Sequence, residues 1–287
     1  MTTNLVQSVR KAGIYCRTLD LVPRRFKHMY SELVYNAASV AHYQRTDMFT
    51  SVAIETTSEC NRRCTFCPNY DDNKRSQRPQ REMDDELYLK ILTDLQDIGY
   101  CDVVSLQHYG EPLLDTKLEQ RVSLARRMLP NAYLQTKSNG DKLNSARYKS
   151  LREAGINEIF VTNYNPDNKL NHNLRDLAEY MLWHPEESEH FSIRPTPRFL
   201  FNRAGSAQVT DEQKIQLSRC IQESHTININ VKGDVVLCSN DYFGNDPFGN
   251  VFLQHIMDIW DSSTYKQHRK NIRRGDFESP LCQECTE

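Results

Sequence analysis

The stretch Cys60-Asn61-Arg62-Arg63-Cys64-Thr65-Phe66-Cys67 decides the fold, because its three cysteines follow the pattern C-x-x-x-C-x-x-C. Thiolates are soft ligands that select iron–sulfur clusters, zinc or copper(I). A cubane [4Fe–4S] cluster takes one cysteine per iron, so three close cysteines would leave one iron open. A structural zinc site would need a fourth ligand nearby, but no His or Cys follows before Cys101. Residues 52–55 read as a strand that feeds this loop, which favours a cluster site over three unrelated thiols.

The loop resembles the cluster loop of the radical SAM superfamily. The resemblance implies that Cys60, Cys64 and Cys67 hold a [4Fe–4S] cluster whose open iron chelates the amino and carboxylate groups of S-adenosylmethionine. Cleavage of that cofactor gives methionine and a 5′-deoxyadenosyl radical. The backbone of Phe66 is expected near the adenine. The motif is specific for the superfamily and does not indicate the substrate.

From residue 51 onward, predicted strands and helices alternate, which predicts a parallel sheet with helices outside it. The stretch is shorter than the roughly 250 residues of a complete eight-fold barrel. The resemblance therefore implies an α/β fold, a partial (β/α)6 TIM-type barrel with a small C-terminal iron–sulfur module of the twitch/SPASM type. The predicted strands cover residues 52–55, 102–106, 133–136, 158–162 and 191–194, with a candidate sixth over 198–202.

Two short motifs follow strands two and three, at the strand ends where barrels carry their chemistry. Gly110-Glu111-Pro112 resembles the motif that holds the amino group of S-adenosylmethionine, although Tyr109 stands where a glycine is usual. Ser138-Asn139 resembles the polar pair that contacts the ribose. Each motif alone is an ordinary turn. Their order behind the cysteine loop predicts cofactor binding by Gly110, Glu111, Ser138 and Asn139.

Four further cysteines occur late in the chain, at Cys220, Cys238, Cys282 and Cys285. A predicted hairpin over residues 227–237 and a final C-x-x-C knuckle would bring their thiolates together, and ligand identity alone leaves zinc open. The region resembles the SPASM/twitch extension of radical SAM enzymes, which implies one auxiliary [4Fe–4S] cluster. The cysteine arrangement is similar to that of the 2-deoxy-scyllo-inosamine dehydrogenase type, which oxidises an aminocyclitol hydroxyl.

The predicted domain organisation has three units. A helical N-terminal extension covers residues 1–50, the radical SAM partial barrel covers 51–209, and the auxiliary-cluster domain covers 210–287. Thr210 and Gln213 form a capping box that opens the last unit. The basic segments 74–78 and 269–274 are interpreted as solvated faces.

Composition limits the partners and the compartment. The chain of 287 residues is 38% hydrophobic with a net charge of −2, and it has no apolar stretch of transmembrane length. We therefore expect neither a membrane nor a nucleic acid as partner. No secretory signal is evident, and the nine cysteines suit a reducing compartment. A cytoplasmic protein is predicted.

These features predict a radical SAM oxidoreductase that dehydrogenates a hydroxyl of a polar small molecule, a sugar or aminocyclitol in natural-product biosynthesis. Arg203 occupies the position of an arginine thought to act as base in related enzymes. His108 and Tyr109, just past strand two, are further catalytic candidates, although a structural role is the commoner one for such a histidine. A reducing partner such as flavodoxin or ferredoxin is implied.

Three alternatives stay open at this stage. A radical SAM epimerase would need a thiol as hydrogen-atom donor, but Cys101 precedes strand two at the opposite end of the barrel, and Cys16 lies in the extension. A peptide-modifying enzyme often carries a leader-recognition domain, which the short extension does not resemble. A non-enzymatic metal-binding scaffold agrees poorly with the intact Glu111, Ser138 and Asn139.

Overall fold

The computed structural model describes residues 27–165, 167–197, 200–210, 212 and 218–286. These residues form an eight-stranded sheet in the order β5-β4-β3-β2-β1-β6-β7-β8. The strands are β1 (Ser51–Ile54), β2 (Val103–Ser105), β3 (Tyr133–Ser138), β4 (Glu158–Asn163), β5 (Phe191–Pro195), β6 (Thr226–Ile229), β7 (Asp234–Val236) and β8 (Gly249–Asn250).

Helices alternate with the first five strands and cover one face of the sheet. Those between β1 and β5 are α2 (Asp72–Ser76), α3 (Asp85–Asp97), α4 (Leu118–Met128), α5 (Ser145–Ala154) and α6 (His172–Trp183). The others are α1 (Lys27–Tyr43), α7 (Ile256–Trp260), α8 (Ser263–Arg274) and α9 (Pro280–Thr286). Short 3₁₀ turns cover Pro68–Tyr70, Pro112–Leu114, Pro185–Glu189 and Glu223–His225.

The five strands from β1 to β5 pair in parallel with their neighbours, in the order of the chain. Alternate residues point to the helices, so Val52, Val104, Leu134 and Ile159 are fully buried in the core. The sheet is not closed into a ring, because its two edges are β5 and β8. The predicted α/β fold with a partial barrel is confirmed.

The sixth parallel strand is β6, which pairs with β1 from Ser51–Thr226 to Ile54–Ile229. This strand belongs to the predicted C-terminal hairpin, and β7 and β8 extend the sheet in antiparallel pairs. The candidate strand over 198–202 lies partly outside the described residues, and its Phe201 and Asn202 form no strand. Gln213 of the predicted capping box also lies outside them. Because β1 and β6 are neighbours, the segments that follow them start side by side.

The helix predicted in the N-terminal extension is α1, and it lies across the amino ends of the strands. Tyr35 stacks on His225 with ring centroids 4.7 Å apart, and His42 Nδ1 lies 2.9 Å from Asp102 Oδ1. These contacts join α1 to residues just before β2 and β6. The helix therefore covers the end of the sheet opposite the cysteine loop.

The interpretation of both basic segments as solvated is wrong for two arginines. Arg78 and Arg269 are 7% and 1% exposed, respectively. Arg269 donates to the Trp260 carbonyl at 2.8 Å and to Asp47 at 2.7 Å. A basic run in the sequence does not show this, because the compensating acid lies far away along the chain.

Candidate active site

The cysteine loop is fastened to the carboxyl end of β3. Arg62 donates two hydrogen bonds to Asp141, at 2.7 and 2.5 Å. Asn61 donates to the same carboxylate at 2.8 Å and accepts from Asn139 at 2.9 Å. Two of the three residues between Cys60 and Cys64 therefore hold the loop in position.

The three loop thiols lie within electrostatic range of one another. Burial raises the pKa of Cys60 and of Cys64 to about 11, and nearby thiolates raise each further. Burial also raises the pKa of Cys67. Thiols in this state keep their protons until a positive centre replaces them, so metal binding here releases protons.

Gly110 lies directly against the chain that leads into the cysteine loop. A Cβ atom at Gly110 would lie 1.8 Å from the carbonyl oxygen of Thr57, so only glycine fits at this position. The N–H of Glu111 donates to the carbonyl of Glu59 at 2.7 Å. These contacts hold the segment after β2 beside the segment after β1.

The buried carboxylate of Glu111 joins the ends of β2 and β3. Its Oε1 accepts from the Ser138 hydroxyl at 2.7 Å and from the Leu113 N–H at 3.1 Å. Its Oε2 accepts from the Asn139 N–H at 2.8 Å. Burial raises the pKa of Glu111, and three hydrogen bonds oppose that rise. Oε2 keeps one acceptor position, which fits the amino group of S-adenosylmethionine.

Phe66 packs against an aromatic residue that follows β4. The rings of Phe66 and Tyr164 are 5.3 Å apart, and burial raises the pKa of Tyr164, as do the nearby Cys64 and Cys67. Arg62 lies 5.9 Å from the centre of the same ring. The aromatic pair thus borders the loop cysteines, where a flat purine could stack.

Sequence reasoning missed a buried ion pair at the end of β1. Glu55 is fully buried and accepts from Arg78 Nη2 at 2.7 Å. It also accepts from the N–H groups of Tyr109 and Val231, each at 3.2 Å. Burial would raise the pKa of Glu55, but the charge of Arg78 holds it below its usual value. The sequence offers one signal for this ion pair, which is that the acid Glu55 directly follows the apolar strand Val52-Ala53-Ile54.

His108 and Tyr109 lie beside this ion pair. Their rings are 4.7 Å apart, and Tyr109 packs against Tyr242 at 4.8 Å. Burial lowers the pKa of His108 to about 4, so its imidazole is neutral near pH 7. Within the described part of the chain, neither ring nitrogen of His108 nor the Tyr109 hydroxyl has a hydrogen-bond partner. Buried polar atoms without partners are costly, so they require an explanation.

The side chain of Arg203 extends from a strained turn to the ring of Tyr109. Arg203, Ala204 and Gly205 have φ angles of 53°, 49° and 70°, and each non-glycine residue in this left-handed region costs roughly 1–2 kcal/mol. The Arg203 guanidinium lies 5.9 Å from the Tyr109 ring centre. The three catalytic candidates predicted from the sequence, Arg203, His108 and Tyr109, therefore lie together.

The four late cysteines gather on the other side of Arg203. Each of the four thiols is within electrostatic range of at least one other. Asn240 donates its N–H to Cys238 Sγ at 3.3 Å and its Nδ2 to Cys285 Sγ at 3.5 Å. Its Oδ1 accepts from Arg203 Nη1 at 2.9 Å. Asn240, which sequence reasoning missed, connects the cysteine group to Arg203.

The spacing of the sulfur atoms favours cubane clusters over zinc. In a tetrahedral zinc site, Zn–S bonds of about 2.3 Å put the sulfurs roughly 3.8 Å apart. Among the described residues, no three cysteine sulfurs lie within 4.8 Å of one another. A cubane accepts a wider spacing, because each thiolate binds its own iron at a separate corner.

Comparison with known proteins agrees with this geometry. Residues 54–178 match the model of the Radical SAM superfamily. This chain therefore carries a radical SAM domain. Residues 220–286 match the model of SPASM, an iron–sulfur cluster-binding domain. The radical SAM and SPASM domains imply a [4Fe–4S] cluster with S-adenosylmethionine and an auxiliary cluster. In the described part of the chain, no helix has the length and apolarity to cross a membrane.

One curated relative and two solved structures are similar to this chain over most of its length. The S-adenosyl-L-methionine-dependent 2-deoxy-scyllo-inosamine dehydrogenase of Niallia circulans is 29% identical over 240 residues, 83% of this chain and 93% of the relative. The crystal structure of BtrN in complex with AdoMet and 2-DOIA is 28% identical, with a TM-score of 0.75 over 84% of this chain and 94% of that one. BtrN in an open conformation is 26% identical, with a TM-score of 0.64 over 84% and 93%.

The first prediction concerns the iron content. The anaerobically reconstituted protein is expected to bind about eight irons per chain, four for each [4Fe–4S] cluster. Replacing Cys60, Cys64 and Cys67 with Ala should remove four of them and abolish cleavage of S-adenosylmethionine, because the remaining cluster has no open iron. Iron analysis and 5′-deoxyadenosine yield measure both. Stoichiometric zinc in place of the second four irons, or unchanged 5′-deoxyadenosine yield in the variant, would contradict the assignment.

The second prediction concerns Asn240. Asn240→Ala removes a hydrogen bond to Cys285 and should lower the midpoint potential of the auxiliary cluster by about 40 mV, the one-electron equivalent of about 1 kcal/mol. The potential is measured by an EPR-monitored titration in the background of the triple loop variant. The matched control is Asn230→Ala, because buried Asn230 donates to Asp234 at 3.1 Å and not to a cysteine. Equal shifts in both variants would show a general packing effect.

Proposed function

We propose that this radical SAM protein dehydrogenates a hydroxyl group of a small polar molecule, a sugar or an aminocyclitol in natural-product biosynthesis. The observation that carries the proposal is the position of Tyr109. Asn69, two residues after Cys67, donates to the Tyr109 carbonyl at 3.0 Å. On its other side, the Tyr109 ring lies 5.9 Å from Arg203, which Asn240 connects to Cys238 and Cys285. A substrate held at Tyr109 would therefore be near both cysteine groups. The relative from Niallia circulans is named as a dehydrogenase.

When bound, S-adenosylmethionine at the loop cluster supplies a hydrogen-abstracting radical, and the auxiliary cluster supplies a one-electron acceptor. Forming a ketone removes one hydrogen atom from carbon, one proton from oxygen and one electron. The protein's part is to hold the carbon–hydrogen bond towards the loop and to receive the proton. The neutral groups of His108 and Tyr109 can make hydrogen bonds to the hydroxyl that is oxidised.

The proton acceptor is assigned among the three polar side chains at the site. A guanidinium does not lose its proton in proteins, so Arg203 is better suited to orient the substrate oxygen and to stabilise its developing negative charge. Burial lowers the pKa of His108, so one ring nitrogen is unprotonated near pH 7, and Glu55 Oε1, 3.9 Å from His108 Nδ1, would stabilise the imidazolium once a proton is accepted. We therefore propose His108 as the first proton acceptor and Tyr109 as its neighbour in the hydrogen-bond chain.

The alternatives receive less support from the described residues. An epimerase needs a thiol beside the substrate. Cys101 lies before β2, at the opposite end of the sheet, where its N–H donates to the Tyr43 hydroxyl oxygen at 3.2 Å. Cys16 lies outside the described residues. Two solved structures with a bound peptide are 13% and 12% identical to this chain and show the fold alone. A reducing partner of the flavodoxin or ferredoxin type and a cytoplasmic location complete the proposal.

The third prediction separates dehydrogenation from redox-neutral chemistry. The product should be two hydrogens lighter than the substrate, as measured by mass spectrometry after anaerobic turnover. Replacing Cys282 and Cys285 with Ala should reduce product formation more than cleavage of S-adenosylmethionine, because the electron acceptor is lost while the loop cluster remains. The variant must first be shown to be folded, since α9 carries both cysteines. A product of unchanged mass with deuterium from solvent would establish an epimerase instead.

A further inference from the structure

Two guanidinium groups lie beside Tyr109. Arg78 is paired with Glu55 at 2.7 Å, and both side chains are buried. Arg203 donates to a neutral partner, the amide oxygen of Asn240, at 2.9 Å. A positive group added here would have no negative partner among these side chains, and an unpaired buried charge is costly.

The buried carboxylates of this region are already engaged by the protein. Glu55 pairs with Arg78, and it also accepts hydrogen bonds from the N–H groups of Tyr109 and Val231. Asp241, which is also buried, accepts from the N–H groups of Leu237 and Gly244 at 3.2 and 2.9 Å. The position left on Glu111 belongs to the cofactor site described above. An ammonium group of the substrate would therefore have to compete with Arg78 for the charge of Glu55.

The aromatic rings offer an ammonium no alternative. A cation can bind over a tyrosine ring within about 6 Å of its centre. Arg78 lies 5.4 Å from the Tyr109 ring centre and 4.6 Å from that of Tyr242, and Arg203 lies 5.9 Å from that of Tyr109. These rings already have cations of the protein beside them.

The polar atoms that lack partners are neutral and can both donate and accept. They are the hydroxyl of Tyr109 and the two ring nitrogens of His108. A hydroxyl group has the same double capacity, whereas an ammonium group can only donate. A substrate hydroxyl can therefore satisfy these atoms without bringing a charge into the site.

Building on the proposed function, we propose that the substrate is a neutral polyol, which presents to His108 and Tyr109 a hydroxyl group and not a protonated amine. The substrate class thus differs from 2-DOIA, the ligand named in the BtrN complex. The fold and the cofactor sites are shared with that relative, while the groups around Tyr109 set the preference.

The fourth prediction tests this preference with a matched pair of ligands. The pair is 2-deoxy-scyllo-inosamine and the cyclitol in which a hydroxyl replaces its amino group. Binding is measured by calorimetry at pH 7 on the anaerobic holoenzyme with S-adenosylmethionine, and the products are weighed by mass spectrometry. The hydroxyl member should bind at least about tenfold more tightly, equivalent to about 1.4 kcal/mol. Equal or tighter binding of the amine, or no binding of either ligand, would overturn the inference.

The two levels of the proposal fail in different ways. If the amine member binds more tightly and yields a product two hydrogens lighter, the dehydrogenase assignment stands and the polyol preference is wrong. If the hydroxyl member binds more tightly but its product keeps the same mass, the preference stands and the dehydrogenase assignment is wrong.

A variant pair separates a ligand-binding role of Tyr109 from a structural one. Tyr109→Phe removes a hydroxyl that has no protein partner, so Tm should stay the same or rise, while Kd for the hydroxyl member increases about tenfold. The control is Tyr88→Phe, because the buried Tyr88 hydroxyl donates to the Arg121 carbonyl at 3.0 Å. That variant should lower Tm and leave Kd unchanged. A lowered Tm with unchanged Kd in Tyr109→Phe would make this hydroxyl structural and contradict the proposal.

Discussion

The buried ion pair of Glu55 and Arg78 is the interaction on which the rest of the site depends. Through one carboxylate it holds the residues that follow β1, β2 and β6, because Glu55 accepts from Arg78, Tyr109 and Val231. Removing one member would leave an uncompensated buried charge, at a cost of roughly 3–5 kcal/mol. The pair also fixes the position of the Tyr109 ring beside Arg78.

The pairing of β1 with β6 explains how the two cysteine groups, which are far apart in the sequence, both come to lie near Tyr109 and Arg203. The loop cysteines follow β1, while Cys238 follows β7 of the hairpin that begins with β6. Asn240 then connects Cys238 and Cys285 to Arg203. The positive φ angles of Arg203 and Ala204 are unfavourable for the backbone. The contacts of Asn240 and the hydrogen bond from the Ala204 N–H to Cys285 help to stabilise this turn. Strain at a residue held by several partners is typical of functional sites.

The sequence predicts the parts of this protein whose signal is local. The strands β1 to β5, the hairpin and both cysteine groups were found, because alternation and close ligand spacing need no distant partner. The sequence does not predict the pairing of β6 with β1, because the register partners Ile54 and Ile229 are 175 residues apart in the chain. Arg78 was missed for the same reason: its burial depends on Glu55, which a basic segment does not reveal. Asn240 carries no motif, and only its contacts show its role.

The central claim is that the carbon bearing a hydroxyl, held at Tyr109 and His108, gives up its hydrogen to the cofactor. The most direct test is turnover of a polyol that carries deuterium on that carbon, with mass spectrometry of both products. The account predicts that the deuterium appears in 5′-deoxyadenosine and that the ketone lacks it. A ketone formed together with unlabelled 5′-deoxyadenosine, or a product that retains the deuterium, would contradict the account.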